Sequence, residues 1–310
     1  MARRGLSPAA LAVVRDVVLP EGRVVRVRPL RGGISSSVHV VHLRSERGGV
    51  AAVVVRRYGA YAQEHDPHAA AREFQLLMHL AAIGQPVARP LLLETVDSVF
   101  EAPTVVLTRL PGRPLLAPRD LGDYLRQMAE ALLALHRVPV DGLQFLPRQA
   151  VSVSRALRDE LEPKDDPLHE AVWDAARAGW ARVAASGERQ ALVHGDYWPG
   201  NMLWLRGRLV GIIDWEQPRL GDPTKDVATC QGDLTILFGL SAADEFLRCY
   251  EEAGGTVTNL GFWRSLISTW AVREITGWAT AYPLLGRPDI TAVLAEQRIR
   301  EYARSALDLA

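Results

Sequence analysis

Between Val24 and Val55, short runs of β-branched residues alternate with glycine-bearing turns. The runs are Val24 to Val27, Val38 to Leu43 and Val50 to Val55, the last two separated by the turn Ser45 to Gly49. Apolar runs punctuated in this way predict an antiparallel meander of three strands. The period then changes. Ala69 to Ile83 places Phe74, Leu77, Met78 and Ala81 at helical spacing and stops at Gly84, which predicts a helix after the third strand. Val87 to Leu93 and Thr104 to Leu110 predict two further strands, giving a five-stranded antiparallel sheet with one helix.

Beyond Pro111-Gly112-Arg113-Pro114 the pattern is mainly helical: Leu121 to His136 is strongly amphipathic, and most of the remaining chain is rich in alanine and leucine. The exception is Ala191 to Asp214, where Met202 to Leu205 and Leu209 to Ile213 flank Arg206-Gly207-Arg208 as a hairpin. The change of character places a boundary near Leu110. An α+β chain of two lobes is expected, residues 1–110 sheet-rich and residues 111–310 mainly helical.

Composition narrows the function classes. At 310 residues and 48% hydrophobic, the chain can bury more than one core. Its formal net charge of zero gives no electrostatic case for nucleic acid or a membrane surface as partner. Cys230 and Cys249 are far from any metal or disulfide spacing, so a reducing cytoplasm is expected. Arg3 and Arg4 precede an apolar stretch as in an export signal, but Arg15 and Asp16 interrupt it. No run approaches the roughly 20 apolar residues that cross a bilayer, so neither export nor membrane insertion is expected. Monomer and homodimer both stay open. Lys164 and Lys225 are the only lysines; every other basic residue is arginine or histidine.

Candidate chemistry is concentrated in Leu192-Val193-His194-Gly195-Asp196-Tyr197-Trp198-Pro199-Gly200-Asn201 and, past the hairpin, in Gly211-Ile212-Ile213-Asp214-Trp215-Glu216. Phosphoryl transfer asks little covalent chemistry of a protein. It needs positioned phosphates, a divalent ion to neutralise them, and a carboxylate to receive the hydroxyl proton. Protein kinases meet this need with His-x-Asp-x-x-x-x-Asn and a second aspartate beyond a short hairpin. His194, Asp196 and Asn201 fall at that spacing, and Asp214 ends the second strand of the hairpin.

His-Gly-Asp-x-x-Pro-Gly-Asn followed by Ile-Ile-Asp-Trp-Glu resembles the aminoglycoside phosphotransferase and choline kinase family. Over essentially the whole chain, the resemblance implies a protein-kinase-like fold with nucleotide between the lobes and the acceptor in the helical lobe. It implies Asp196 as catalytic base, Asn201 and Asp214 as Mg2+ ligands, and His194 as a support of the catalytic loop. Gly221-Asp222-Pro223 with Asp226 is similar to the family's Gly-Asp-Pro-x-x-Asp segment, for which loop bracing or helix capping is favoured over nucleotide contact.

The nucleotide side is marked less sharply. Leu30 to Val38 lies between the first two strands, where Gly32, Gly33, Ser35 and Ser36 would let backbone N–H groups approach phosphate. Protein kinases carry a lysine on the third strand, paired with a helix glutamate. Here the strand ends in Arg56-Arg57. Arg56 matches the position, Arg57 is one register step away, and Glu73 is the expected partner. Val106 to Leu110, through Leu107 and Arg109, is expected to lend backbone groups to the purine, which leaves ATP and GTP equivalent.

For the acceptor, Tyr197 and Trp198 in the catalytic loop are the expected contacts, with Glu216 grouped beside them. The acidic run Glu160 to Asp166 reads as solvated surface, and Phe262, Trp263, Trp270 and Trp278 as core. Two other classes compete, a nucleotide-binding pseudokinase and a metal-dependent hydrolase with His194, Asp196 and Asp214 as ligands. Intact Asp196, Asn201 and Asp214 argue against the first, and the single nearby histidine against the second. The expectation is transfer of a phosphoryl group from Mg-ATP or Mg-GTP to a hydroxyl of an unspecified small molecule.

Overall fold

The computed structural model describes residues 5–30, 36–95, 98–160, 166–185 and 190–309. The chain divides into two compact units, Met1–Pro111 with Val210–Glu216, and Gly112–Leu209 with Gln217–Ala310. The seven-residue segment Val210–Glu216 thus packs with the N-terminal unit although its neighbours on both sides belong to the other.

The first unit runs α1 (Pro8–Val18), β1 (Gly22–Leu30), β2 (Ser36–Ser45), β3 (Val50–Tyr58), α2 (Ala60–His65), α3 (Ala69–Ala82), β4 (Pro90–Glu94) and β5 (Thr104–Thr108). The strands form the expected five-stranded antiparallel sheet, in the order β1-β2-β3-β5-β4. α1 and α2 are additional to the one helix expected. Ser7 caps α1 by accepting from the Ala10 amide, and Pro8 enters its first turn, where a missing N–H does no harm. Arg15 and Asp16, which break the apolar run in the sequence, pair on the outer side while Ala10 and Val14 are buried. Val14 joins Val41, Leu43, Val53, Val55, Phe100 and Val106 in the core of this unit.

Two elements differ in detail from the periodicity. β4 starts at Pro90 and not at Val87, because the Val87 amide closes a tight turn on the Gln85 carbonyl. The buried stripe of α3 is Glu73, Leu76, Leu77 and Leu80, and Met78 is exposed. The stripe is rotated from the apolar pattern because the carboxylate of Glu73 has a charged partner inside, which lets a glutamate be buried.

The second unit contains α4 (Leu121–His136), α5 (Gln149–Arg155), α6 (Pro167–Ala185), β6 (Ala191–Val193), β7 (Met202–Leu205), the start of β8 (Arg208–Ile212), β9 (Arg219–Gly221), α7 (Thr224–Phe238), α8 (Leu240–Glu252), α9 (Leu260–Ala279) and α10 (Ala292–Leu307). β7 and β8 pair as the expected hairpin. Gln127 of α4 steadies its turn, donating to the Gly207 carbonyl and accepting from the Leu209 amide. The short antiparallel pair β6–β9, with Val193 opposite Arg219, joins the approach to the His194–Asn201 loop with the chain beyond the hairpin. Phe262 and Trp263 lie in the helical core and Trp270 packs against it, as core residues, whereas Trp278 is 41% exposed. Cys230 and Cys249 are free, buried thiols. Among the described residues no helix is long and apolar enough to cross a membrane.

Candidate active site

In the first unit the alternation of β3 sends Arg56 and Tyr58 to one face and Arg57 to the other. Arg57 donates to the Ser37 hydroxyl across the β2–β3 ladder. Arg56 is buried and gathers carboxylates: its guanidinium lies 3.0 Å from Glu73, 2.5 Å from Asp214 and 2.5 Å from Glu216, and its Nε donates to Ser36 at 3.3 Å. The register that the sequence left open is therefore set by geometry, with Arg56 on Glu73. Tyr58 adds a hydroxyl donor to the second oxygen of Glu73.

Burial alone would lower the Arg56 pKa, but Glu73, Asp214, Tyr58 and Glu216 together raise it well above the ordinary value. Burial pushes the Glu73 carboxyl up, against the pull of Arg56 and Tyr58. A guanidinium suits this task because its planar fork can serve several oxygens at once.

Asp214 sits at φ +69°, in the left-handed region that non-glycine residues rarely adopt. Its carboxylate faces Arg56, and its side chain is still 39% exposed. A strained backbone that presents a half-open acid is the kind of local strain found at functional sites. Trp215, fully buried, donates from its indole to the Ile212 carbonyl and anchors the segment from below.

In the second unit the loop after β6 is held by its own backbone. Asp226 accepts from the amides of His194 at 2.6 Å and Gly195 at 2.9 Å. His194 is fully buried, and its Nδ1 accepts from the Asp196 amide at 3.2 Å. Asn201 closes the loop: its side-chain amide donates at 2.9 Å to both the carbonyl and the carboxylate of Asp196. Gly195 must be glycine, since φ is +89° and an added Cβ would stand 2.2 Å from the Gln217 carbonyl oxygen. Behind the loop, His136 Nε2 is 3.4 Å from Asp226, and its Nδ1 is 2.8 Å from the Tyr250 hydroxyl. Burial would raise the Asp226 carboxyl, but His136, Lys225 and His194 hold it below the usual carboxylate range.

Asp222 braces the next turn, accepting from the Thr224 amide, the Thr258 hydroxyl and the Trp263 indole. Asp222 and Asp226 thus have the bracing roles expected of them.

Other expected contacts are placed differently. Tyr197 is completely buried and its hydroxyl donates to the Met128 carbonyl, so it forms the floor of the loop and cannot line an acceptor site. Trp198 is half-buried, packed on the helical core and on Gly200. Glu216 is held by Arg56 in the first unit, 2.5 Å from its guanidinium. The Arg109 amide is committed to the Ala52 carbonyl, and Leu107 is paired in the sheet with Val54 and Pro90, so the Arg109 N–H is not open to a purine. Gly32, Gly33 and Ser35 lie outside the described residues, as does 161–165 of the acidic run. Asp166, at the end of that run, caps α6 and pairs with Arg300, which holds its carboxyl at about 2.

Tyr58 in the first unit and His136 and Lys225 in the second support the candidate residues and are marked by no motif. Tyr58 alone carries a legible signal, by lying two residues from Arg56 on the same strand face.

Each unit by itself presents an oxygen donor of the kind a hard divalent cation takes. Asp214 offers carboxylate oxygen. Asn201, with its NH2 group committed to Asp196, has its amide oxygen left as acceptor. Among the described residues no group of three or more His, Cys, Asp or Glu is disposed as a cage. One or two side-chain oxygens completed by phosphate is the usual way magnesium is held beside a nucleotide.

The model of the phosphotransferase enzyme family matches residues 26–263. An Arabidopsis thaliana protein described as "Probable acyl-CoA dehydrogenase IBR3" is 31% identical over 183 residues, covering 52% of this chain and 22% of that protein, so the chain matches less than a quarter of its length. Among solved structures, a thermostable mutant of aminoglycoside phosphotransferase APH(4)-Ia superposes with TM-score 0.65 at 18% identity, over 91% of this chain and 95% of that one. That enzyme is also known in a ternary complex with ADP and hygromycin B. Choline kinase LicA from Streptococcus pneumoniae superposes with TM-score 0.59 at 19% identity, over 94% and 97%. The fold is that of a kinase-like phosphotransferase. The chain belongs to the phosphotransferase enzyme family.

Proposed function

We propose that this kinase transfers the γ-phosphoryl group of ATP to a hydroxyl of a small molecule, with Asp196 as the base that receives the hydroxyl proton. The observation that carries the reading is the way Asp196 is held. One carboxylate oxygen takes a hydrogen bond from Asn201, its amide is tied to His194, and the preceding peptides are fixed by Asp226. A general base contributes most when its geometry is set before the substrate arrives.

On this reading Arg56, oriented by Glu73, grips phosphate oxygens. Asp214 and Asn201 would hold Mg2+, which supplies neutralisation of phosphate charge when bound. Glu216 belongs to the same polar cluster as Asp214. His194 supports the loop: its Nδ1 is engaged with the Asp196 amide and its ring is fully buried, which speaks against the hydrolase reading in which it ligates metal. The sequence expectation of GTP as an alternative donor carries over unchanged, as does a cytoplasmic location.

The test is nucleotide consumption over a panel of hydroxylated amines, sugars, amino alcohols and antibiotics, with ATP and with GTP. Asp196→Asn should lower kcat by about two to four orders of magnitude while nucleotide binding persists. Turnover undiminished in that variant would remove Asp196 from the role.

A further inference from the structure

From Thr224 to Leu237, α7 is buried at every position except Lys225, Thr229 and Asp233, which follow one another at i, i+4 and i+8 and make one polar stripe on a helix otherwise enclosed. The Lys225 end of that stripe meets the catalytic loop. Its ammonium donates to the carbonyl oxygen of Gly195, while the adjacent Asp226 receives the Gly195 amide. Two consecutive side chains of one helical turn therefore hold both polar groups of the residue that precedes the base.

The two grips are not equivalent. Asp226 fixes the amides of residues 194 and 195, and so the chain as far as the Gly195 α-carbon. The next peptide plane, from the Gly195 carbonyl to the Asp196 nitrogen, carries the base itself. Lys225 holds its oxygen and His194 Nδ1 its nitrogen. Glycine at φ +89° gives no side-chain restraint of its own, so both anchors bear on this plane.

Lys225 also brings positive charge to a place crowded with acids. Asp196, Asp226 and Asp233 act on it as counter-charges, and Arg219 is the cation nearby. The loop from His194 to Asn201 has no lysine or arginine of its own.

We propose that Lys225 is a positioning residue of the transfer reaction, fixing the Gly195–Asp196 peptide so that the Asp196 carboxylate stays aimed at the acceptor hydroxyl. The inference rests on Asp196 as base. Its chemistry requires a cationic donor on a flexible stem, which lysine supplies and which arginine can replace in part.

The experiment uses the whole chain as wild type, Lys225→Met, Lys225→Arg and Asp196→Asn. Two readouts are taken: hydrogen exchange of the peptide covering residues 194–201, and steady-state hydrolysis of Mg-ATP with water as acceptor. Lys225→Met should speed exchange of the loop by about tenfold or more with the rest of the molecule unchanged. It should lower kcat by about 10- to 100-fold with the KM for ATP within about twofold of wild type, and Lys225→Arg should restore most of both.

Unchanged loop exchange in Lys225→Met overturns the proposal whatever the activity, and so does a change confined to KM. Wild-type turnover in Asp196→Asn would instead sink the base assignment, and the anchoring role of Lys225 would then be judged on exchange alone. Should Lys225→Met fail to fold, Lys225→Gln is held to the same outcomes.

Discussion

Arg56 answers to Glu73, Asp214 and Glu216 at once, and its loss would leave Glu73 as a charge buried without its counter-ion. Breaking a buried pair from one side costs about 3–5 kcal/mol. Arg56→Met should therefore lower the midpoint of thermal or urea unfolding sharply, and Arg56→Lys by much less, since a point charge survives but the fork does not. Equal stability of Arg56→Met and wild type would show that the cluster carries no net weight. Much of this residue-scale picture is legible in the chain. His194, Asp196, Asn201 and Asp214 stand out by spacing alone. Arg56 and Arg57 cannot be separated that way, because one residue of register exchanges the two faces of a strand. Tyr197 misleads for a related reason: proximity in sequence to Asp196 says nothing about which way an aromatic ring turns, and this one turns inward to Met128.

α7 shows how a single element serves several masters. Its first turn braces the His194–Asn201 loop through Lys225 and Asp226, and two turns later it carries Asp233, a half-buried carboxyl. Burial, with the negative charge of Asp196, pushes the Asp233 carboxyl well above the ordinary aspartate range, and Lys225 opposes this only in part. A carboxyl whose folded pKa is raised favours the folded state below its unfolded pKa of about 3.9, and that contribution is lost as pH rises through the folded value. Asp233→Asn should accordingly raise Tm near neutral pH, with the gain shrinking toward zero as pH falls to about 4. A gain that does not change with pH would contradict the sign argued here. Long amphipathic elements such as α4 and the meander β1–β3 are plain from their periods. The three-residue strands β6 and β9 are not, being too short to show one, and the apolar pattern of α3 runs a step out of phase with its buried face because a buried glutamate looks polar in any pattern.

For the molecule as a whole, Asp196 and Asn201 belong to one unit and Arg56 and Asp214 to the other. A ligand that binds only the folded state adds about 2.7 kcal/mol at a hundred times its Kd. Mg-ATP should therefore raise the Tm of the wild type, and Asp214→Ala should abolish the magnesium-dependent part of that rise. A full rise in the variant, followed by scanning fluorimetry with and without magnesium, would remove Asp214 from the metal. The change of composition near Leu110 marks one crossing between units in the sequence. The return of Val210–Glu216 leaves no such trace, because its partners in the first unit, Arg56 for Asp214 and Pro86 for Ile212, lie far upstream.

That return governs how the protein can be cut. A fragment ending at Pro111 would keep the five-stranded sheet and the Arg56–Glu73 pair but discard Asp214 and Glu216, leaving a buried guanidinium short of two of its three carboxylates. A piece that keeps all three carboxylates is a spliced one, with Val210–Glu216 stitched behind Pro111 through a linker. Gene dissection at the visible boundary would instead yield a half that lacks its own closing clasp.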